Sequence, residues 1–248
     1  MREETRSGYD ALYSQFDMVK TPFGQCPDYD FWRDSQVKGP LAKWITRNGK
    51  VLDVGGGTGV FGKVFMPRIV ESENYHVLDV SLVMLKYSRY SRVCGVAEFL
   101  PFRESSFDFL VMSEVLEHVS DKVAALKECH RLLKPSGLLL LSTPRTGWRQ
   151  TFKRSPFIVF IVLDRLLRQF RSNRNVQAPL GVRDEPSDEA WLRDKLQQIG
   201  FTVVFQARGD HHLLWGGMGK FWRWFADKVV DEKKFGHCTI IVARHKTP

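Results

Sequence analysis

The residues with the clearest chemical potential lie in one short stretch. Val51-Leu52-Asp53-Val54-Gly55-Gly56-Gly57-Thr58-Gly59 joins an apolar run to a segment of helical character. Glycines let a backbone turn sharply and approach a ligand without Cβ clashes. A helix N-terminus just beyond such a loop favours a negative group. Twenty residues after Gly59 stands Asp79, at the end of a second apolar run. A carboxylate there can accept hydrogen bonds from both hydroxyls of a ribose. His118 follows a fourth apolar run, where a base could reach a bound ligand, because ligand groups collect at strand C-termini.

These residues need a scaffold, and the pattern around them supplies one. Short apolar strands are expected at Val51–Val54, Tyr75–Asp79, near Arg92–Gly95, at Phe107–Ser113 and at Leu138–Ser142. Helices are expected between them at Val60–Val70, Leu82–Tyr90 and Asp121–Leu133, the last stopped by Lys134-Pro135-Ser136-Gly137. Strands alternating with helices imply a parallel sheet covered on both faces. The alternation breaks over 145–186 and resumes with a helix at Ser187–Ile199 and strands at Phe201–Ala207 and Cys238–Ala243. The expected organisation is a single domain over 1–248. It has a cap at 1–49, irregular over 1–30 and helical over 31–47. A cofactor-binding core spans 50–144, with an insertion at 145–186. The rest of the sheet spans 187–248, with a second, aromatic insertion at 209–235.

Two cofactors suit the glycine loop. Gly57-Thr58-Gly59-Val60-Phe61-Gly62 formally matches the dinucleotide fingerprint, a weak signal when it stands alone. The other is S-adenosylmethionine. With Asp53 before the glycines and three glycines before Thr58, the chain resembles the class I SAM-dependent methyltransferases. Within them it is most similar to the small-molecule and lipid group related to ubiquinone and menaquinone methyltransferases. The likeness extends through Ala97-Glu98-Phe99-Leu100-Pro101-Phe102, Ser105-Ser106-Phe107-Asp108, Ser113-Glu114-Val115-Leu116-Glu117-His118 and Leu126–Gly137. Several motifs in the right order over about 45–145 are far more specific than any one of them.

The resemblance implies a Rossmann-like α/β fold: a seven-stranded, mostly parallel sheet with an antiparallel last strand, helices on both faces and helical lid insertions. It implies a cofactor site of Gly55, Gly57 and Gly59 along the methionine moiety and Asp53 orienting the loop or reaching the ammonium. Asp79 would take the ribose, Ala97 and Glu98 would face adenine, and Ser113 would lie near the methionyl end. One position departs from the family pattern. An Asp usually precedes the Ala-Glu pair, and here Val96 stands there, leaving adenine to backbone groups and apolar contact.

Methyl transfer from a sulfonium requires in-line attack, so the protein mainly positions reactants and excludes water. A base matters only if the acceptor must lose a proton, and His118 is the expected candidate; His211 and His212 are alternatives. After the fourth strand the chain reads Ser113-Glu114-Val115-Leu116, not the Asn/Asp-Pro-Pro-Tyr often used on exocyclic amines. Strand five ends in Ser142-Thr143-Pro144-Arg145, without the Pro-Cys of enzymes that form covalent pyrimidine adducts.

The chain has 248 residues, a net charge of +9 and ordinary globular composition, 43% hydrophobic and 26% charged. That excludes a disordered tail and a disulfide-stapled mini-domain. Between Arg145 and Arg174 stand eight basic residues against Asp164, a charge of +7 flanking the apolar run Phe157–Leu163. Without that segment 29 basic and 27 acidic residues remain, a balance of +2. An apolar centre between basic flanks suits an anionic membrane surface or a lid over a greasy substrate. The second insertion places Met218, Phe221, Trp222, Phe225 and Val229 on one helical face.

Cys94, Cys129 and Cys238 are expected as buried free thiols, no clustered metal ligands are evident, and the N-terminus has no signal-peptide core. The expectation is a cytoplasmic protein with peripheral membrane contact through 145–174. It would move a methyl group to oxygen or carbon of a hydrophobic small molecule or lipid-linked acceptor. Three alternatives stand beside it: an RNA or tRNA methyltransferase, a nicotinamide-dependent oxidoreductase, and a non-catalytic SAM-fold regulator. Nucleic acid is the weaker partner, because the aromatics are interleaved with long aliphatic runs.

Overall fold

The computed structural model describes residues 2–14, 48–59, 61–62, 72–146, 185–209 and 238–246. The helix expected at 60–70 beyond 61–62, the helix at 31–47 and nearly all of both insertions lie outside these residues. The elements in order are α1 (Arg2–Ser14), β1 (Val51–Val54), β2 (Tyr75–Asp79), α2 (Leu82–Leu85) and β3 (Ser91–Cys94). Then follow β4 (Phe107–Ser113), α3 (Lys122–Leu132), β5 (Leu133–Pro144), α4 (Glu189–Ile199), β6 (Phe201–Gly209) and β7 (Cys238–His245).

One seven-stranded sheet runs in the order β3-β2-β1-β4-β5-β7-β6. The first five strands of that order pair in parallel, and β7 pairs antiparallel with both β5 and β6. Strand order reverses between β1 and β4, so a crevice opens at their C-terminal ends, where open α/β sheets bind ligands. The expected Rossmann-like sheet with one antiparallel strand is the observed one.

Alternation along the strands builds two apolar layers. Leu52, Val54, Leu78, Leu110, Met112, Leu139 and Leu141 face α3 and α4, meeting Leu126, Cys129, Leu132, Leu192 and Leu196. Val51, Val77, Phe109, Val111, Leu138 and Leu140 face the other way, against Phe61, Leu85, Tyr75 and Tyr90. The helices start where their caps dictate: Asp121 accepts from Ala124 N and Asp188 from Trp191 N. Gly200 ends α4 with φ 112°.

Four expectations need correction. Residues 1–30 do not remain irregular, since Arg2–Ser14 form α1. The helix expected over Leu82–Tyr90 is the single turn α2. Arg92 of β3 donates to the carbonyls of Leu85 and Lys86, which a longer helix would need, and Ser88 Oγ takes Tyr90 N. Tyr90 is thereby released to pack on Tyr75, ring centroids 4.7 Å apart. Third, Cys94 is exposed, because β3 is the edge strand, whereas Cys129 and Cys238 are buried. Burial pushes the Cys129 thiol up to about 12, so it is inert as a nucleophile. Fourth, Arg145, counted above with the basic segment, is 9% exposed and lies beside the Arg208–Glu189 pair.

Leu110 is fully buried on β4, the strand next to the crevice. Leu110→Ala should cost about 3 kcal/mol of stability through lost burial and a residual cavity, measured by urea unfolding followed by circular dichroism. A cost below about 1 kcal/mol would contradict the packing described.

Candidate functional site

The crevice is a cavity of about 410 Å³ at the C-terminal ends of β1, β2 and β4. Gly55, Asp79, Gly95, Val96, Ala97, Glu98, Phe99, Glu114, Val115 and His118 are among its lining residues. Of the expected site residues, Gly55, Asp79, Ala97, Glu98 and His118 thus meet in one place. Asp53, Gly57, Gly59 and Ser113 stand behind the lining.

The loop after β1 is held by its neighbours. Gly55 and Gly56 donate backbone N–H to Leu78 O at 2.7 and 3.2 Å. Gly55 has φ 68°, and a Cβ there would meet Val115 Cγ2 at 2.3 Å. Asp53 is 2% exposed and accepts from Tyr75 Oη at 2.6 Å. A Cβ on Gly56 would fall 2.4 Å from the Asp53 carboxyl carbon. Asp53 therefore packs against the loop from beneath.

Asp79 ties this loop to the next. Its Oδ2 accepts from Gly57 N and its Oδ1 from Ser81 N, both at 2.8 Å. Gly57 has φ 56°, which turns its N–H onto the carboxylate. Each carboxylate oxygen has a second lone pair, so two hydroxyls can still be accepted at the cavity. Burial raises the Asp79 pKa to about 6; the backbone donors Ser81 and Gly57 work against that shift, and the Asp10 charge adds to it.

The floor and far wall come from two motifs that are distant in sequence. Glu128 Oε2 accepts from Leu100 N at 2.8 Å, and Arg131 donates to Leu100 O and Phe102 O, each at 2.9 Å. The Glu128–Arg131 pair on α3 thereby holds the 97–102 loop against the cavity. The Arg131 charge, hydrogen-bonded at 2.7 Å, keeps the Glu128 carboxyl below the usual carboxylate range. Glu98 Oε1 accepts from Ser120 N at 2.8 Å, joining this loop to the one after β4. Val96 and Phe99 line the same end, and Phe99 is 63% exposed, an apolar ring at the mouth.

At the end of β4 lies a polar cluster. Ser113 Oγ and Ser142 Oγ are 2.9 Å apart, and Ser142 donates to Glu114 Oε1 at 2.9 Å. Cys238 Sγ lies 3.4 Å from Glu114 Oε2. Glu114 has φ 56°, a left-handed conformation costing about 1–2 kcal/mol outside glycine. Three residues on, Glu117 is 2% exposed; its Oε2 accepts from Thr143 Oγ1 at 3.0 Å, and its Oε1 lies 3.8 Å from His118 Nε2. Residues absent from the expected site are Tyr9, Val115 and Phe99, whereas Glu114 and Glu117 are legible in the sequence as structural or cofactor-side groups. The signal of Tyr9 is tertiary, since it comes from α1.

Comparison with known proteins agrees with this geometry. Residues 52–141 match a family described as a methyltransferase domain. The chain is 35% identical over 243 residues to the ubiquinone/menaquinone biosynthesis C-methyltransferase UbiE of Klebsiella pneumoniae (strain 342), covering 88% of this chain and 94% of that protein. For the Haemophilus ducreyi UbiE the likeness is 38% but spans only 42% of the relative's length. The SAM-dependent methyltransferase structure from Methanosarcina mazei superposes with TM-score 0.57 at 17% identity, over 84% of this chain and 98% of that one. The S-adenosylmethionine-dependent methyltransferase from Mesorhizobium loti superposes with TM-score 0.56 at 17% identity, over 84% and 96%. These two show the fold.

The residues present fit the cofactor this family uses. A glycine cradle that a Cβ would block, a buried carboxylate with spare lone pairs at ribose position, and an apolar far end match a nucleoside joined to an amino acid. Hydroxyl donors favour the ionised carboxylate, so cofactor affinity should rise with pH through about 6 and level off above it. The apo-protein's own stability should run the other way. The folded state holds this proton more tightly than the unfolded chain, so the stabilisation is full below 3.8 and is lost as pH rises through about 6. Calorimetric titration with S-adenosylhomocysteine between pH 5 and 8 checks the first statement; an affinity independent of pH would contradict it. By its sheet and by its 35% identity over nearly the whole of a relative, the chain belongs to the class I SAM-dependent methyltransferases related to the ubiquinone/menaquinone C-methyltransferases.

Proposed function

We propose that the protein methylates a ring carbon of a hydrophobic, hydroxylated aromatic acceptor of quinol type. The observation carrying this reading is the 35% identity extending over 94% of a ubiquinone/menaquinone C-methyltransferase. The cavity supports it, combining apolar Val96, Phe99, Val115 and Val119 with His118. The RNA-directed, nicotinamide-dependent and regulatory alternatives receive no support from that relationship.

The roles follow from the geometry. Asp79 accepts the ribose hydroxyls, and Gly55 to Gly59 pass along the methionine moiety, with Asp53 bracing them. Val96 to Phe99 enclose adenine through apolar surface and backbone groups, and Ser113 and Glu114 stand at the methionyl end. S-adenosylmethionine, when bound, supplies a methyl group on a sulfonium that leaves as a neutral thioether. His118 takes the acceptor's hydroxyl proton, which raises electron density at the neighbouring ring carbon. That carbon gains the methyl group through a π electron pair and then loses its hydrogen as a proton. His118 returns its proton to the oxygen, so the net change releases one proton. Glu117, buried beside the imidazole at 3.8 Å and held by Thr143, fixes the position of His118.

The single domain 1–248 would work at a membrane surface from the cytoplasmic side. Among the described residues, no helix is long and apolar enough to cross a bilayer. The reading rests on segment 145–174, of which only 145 and 146 are described. With Arg145 buried, the remaining basic run in the sequence begins at Arg149 and still flanks Phe157–Leu163.

Two outcomes follow. Asp79→Ala should weaken S-adenosylhomocysteine binding by about a hundredfold, since two charge-assisted hydrogen bonds and the loop tether go together. With methyl-labelled S-adenosylmethionine and a fractionated cell extract, label should enter the lipid fraction. Label confined to RNA or protein would overturn the acceptor class. Separately, the protein should float with anionic liposomes at low salt, and neutralising Arg165, Arg168 and Arg171 should reduce this, at about 1 kcal/mol per charge near the surface. Wild type that stays in the soluble fraction would end the membrane reading.

A further inference from the structure

We propose that α1 forms the acceptor-side wall of the cavity, with Tyr9 meeting the acceptor's ring oxygen beside His118 and Asp10 holding Tyr9 in place. The inference rests on the methyl-transfer function proposed above.

The first observation is where Tyr9 goes. It lines the cavity rather than joining either apolar layer. Its ring meets that of His118 edge-to-face, centroids 6.2 Å apart and planes at 70°. Several polar side chains of the lining hold the surrounding loops. Asp79 holds Gly57 and Ser81, Glu98 holds Ser120, and Asp121 caps Ala124. Glu114 accepts from Ser142. A phenol and an imidazole in contact within one cavity suit a hydroxylated ring. One can donate to a ring oxygen while the other takes a proton.

The second observation is how α1 is fastened. It packs on α2. Asp10 Oδ1 accepts from Ser81 Oγ at 2.6 Å and from Val83 N at 3.1 Å, spanning 71 and 73 residues of sequence. Ser81 Oγ in turn accepts from Met84 N at 3.2 Å, and Ser81 N donates to Asp79. Successive helical residues point about 100° apart, so a helix anchored through residue 10 aims residue 9 sideways. Here that direction is the cavity. The clasp shares Ser81 with the ribose-binding carboxylate, so the wall is registered against the cofactor end. Asp10 is therefore a positioning residue and Tyr9 a contact residue.

The test is steady-state methyl transfer to a prenylated naphthohydroquinone kept reduced, alongside S-adenosylhomocysteine titration of each variant. Tyr9→Phe keeps the ring and removes the hydroxyl. It should lower kcat/KM for the hydroquinone about tenfold, the scale of one lost hydrogen bond, while leaving S-adenosylhomocysteine affinity within about twofold. Asp10→Ala should raise the hydroquinone KM with kcat little changed. Asp10→Asn, whose Oδ1 still accepts, should restore most of that loss. Tyr9→Phe at wild-type kcat/KM, or a loss mirrored in S-adenosylhomocysteine affinity, would overturn the inference. A wild type that neither binds S-adenosylhomocysteine nor methylates the probe would instead contradict the proposed function itself.

Discussion

The rest of the site depends on one buried carboxylate. Asp79 holds the N–H of Gly57 on one oxygen and of Ser81 on the other, so a single group sets two loops against each other. It sits at the end of β2, whose register with β1 fixes Asp79 beside the glycine loop. Burying a carboxylate with hydrogen-bond donors and, among the described residues, no cation beside it is costly, and the cost shows as a pKa raised to about 6. A purely structural position would be better served by a neutral group. In the proposed reading, the carboxylate also offers lone pairs to the cavity.

Other contacts extend from that point. Ser81 carries the connection to Asp10 and thus to α1. Val115, turned by the left-handed Glu114, packs where a Cβ on Gly55 would fall. Glu128 and Arg131 secure the 97–102 loop from α3, and Glu98 joins it to the loop after β4. Four loops at one edge of the sheet are thus tied by charge-assisted hydrogen bonds, stronger than neutral ones and fixed in direction. Binding sites need this rigidity, because catalysis by positioning fails when groups wander by an ångström.

Much of this was legible in sequence because it is local. The glycine run, the five parallel strands and the α3 stop signal each follow from short-range periodicity or turn chemistry, and the sheet matches them. Asp79 was found because a strand-end acid twenty residues beyond a glycine loop is a local spacing. Leu82–Tyr90 misled because its helical pattern is apolar enough, yet Arg92 on the next strand takes the carbonyls that would extend it. Tyr9 is not legible for a related reason. Its partner lies on another element, at His118. Glu98, expected at adenine, has its carboxylate on the backbone of Ser120. Side-chain targets across loops have no period, so only the assembled fold reveals them. The overall charge is a further lesson: Arg145 counts as basic surface in sequence and is a buried group in the fold.

The central claim is that this cavity is a SAM site organised by Asp79, not a dinucleotide site with a similar glycine loop. Thermal unfolding in the presence of cofactors tests it most directly, since a ligand that binds only the folded state raises Tm according to its affinity. S-adenosylhomocysteine should raise Tm in a concentration-dependent way, NAD and NADP should leave it unchanged, and Asp79→Ala should abolish the shift. A shift with NAD or NADP and none with S-adenosylhomocysteine would contradict the account.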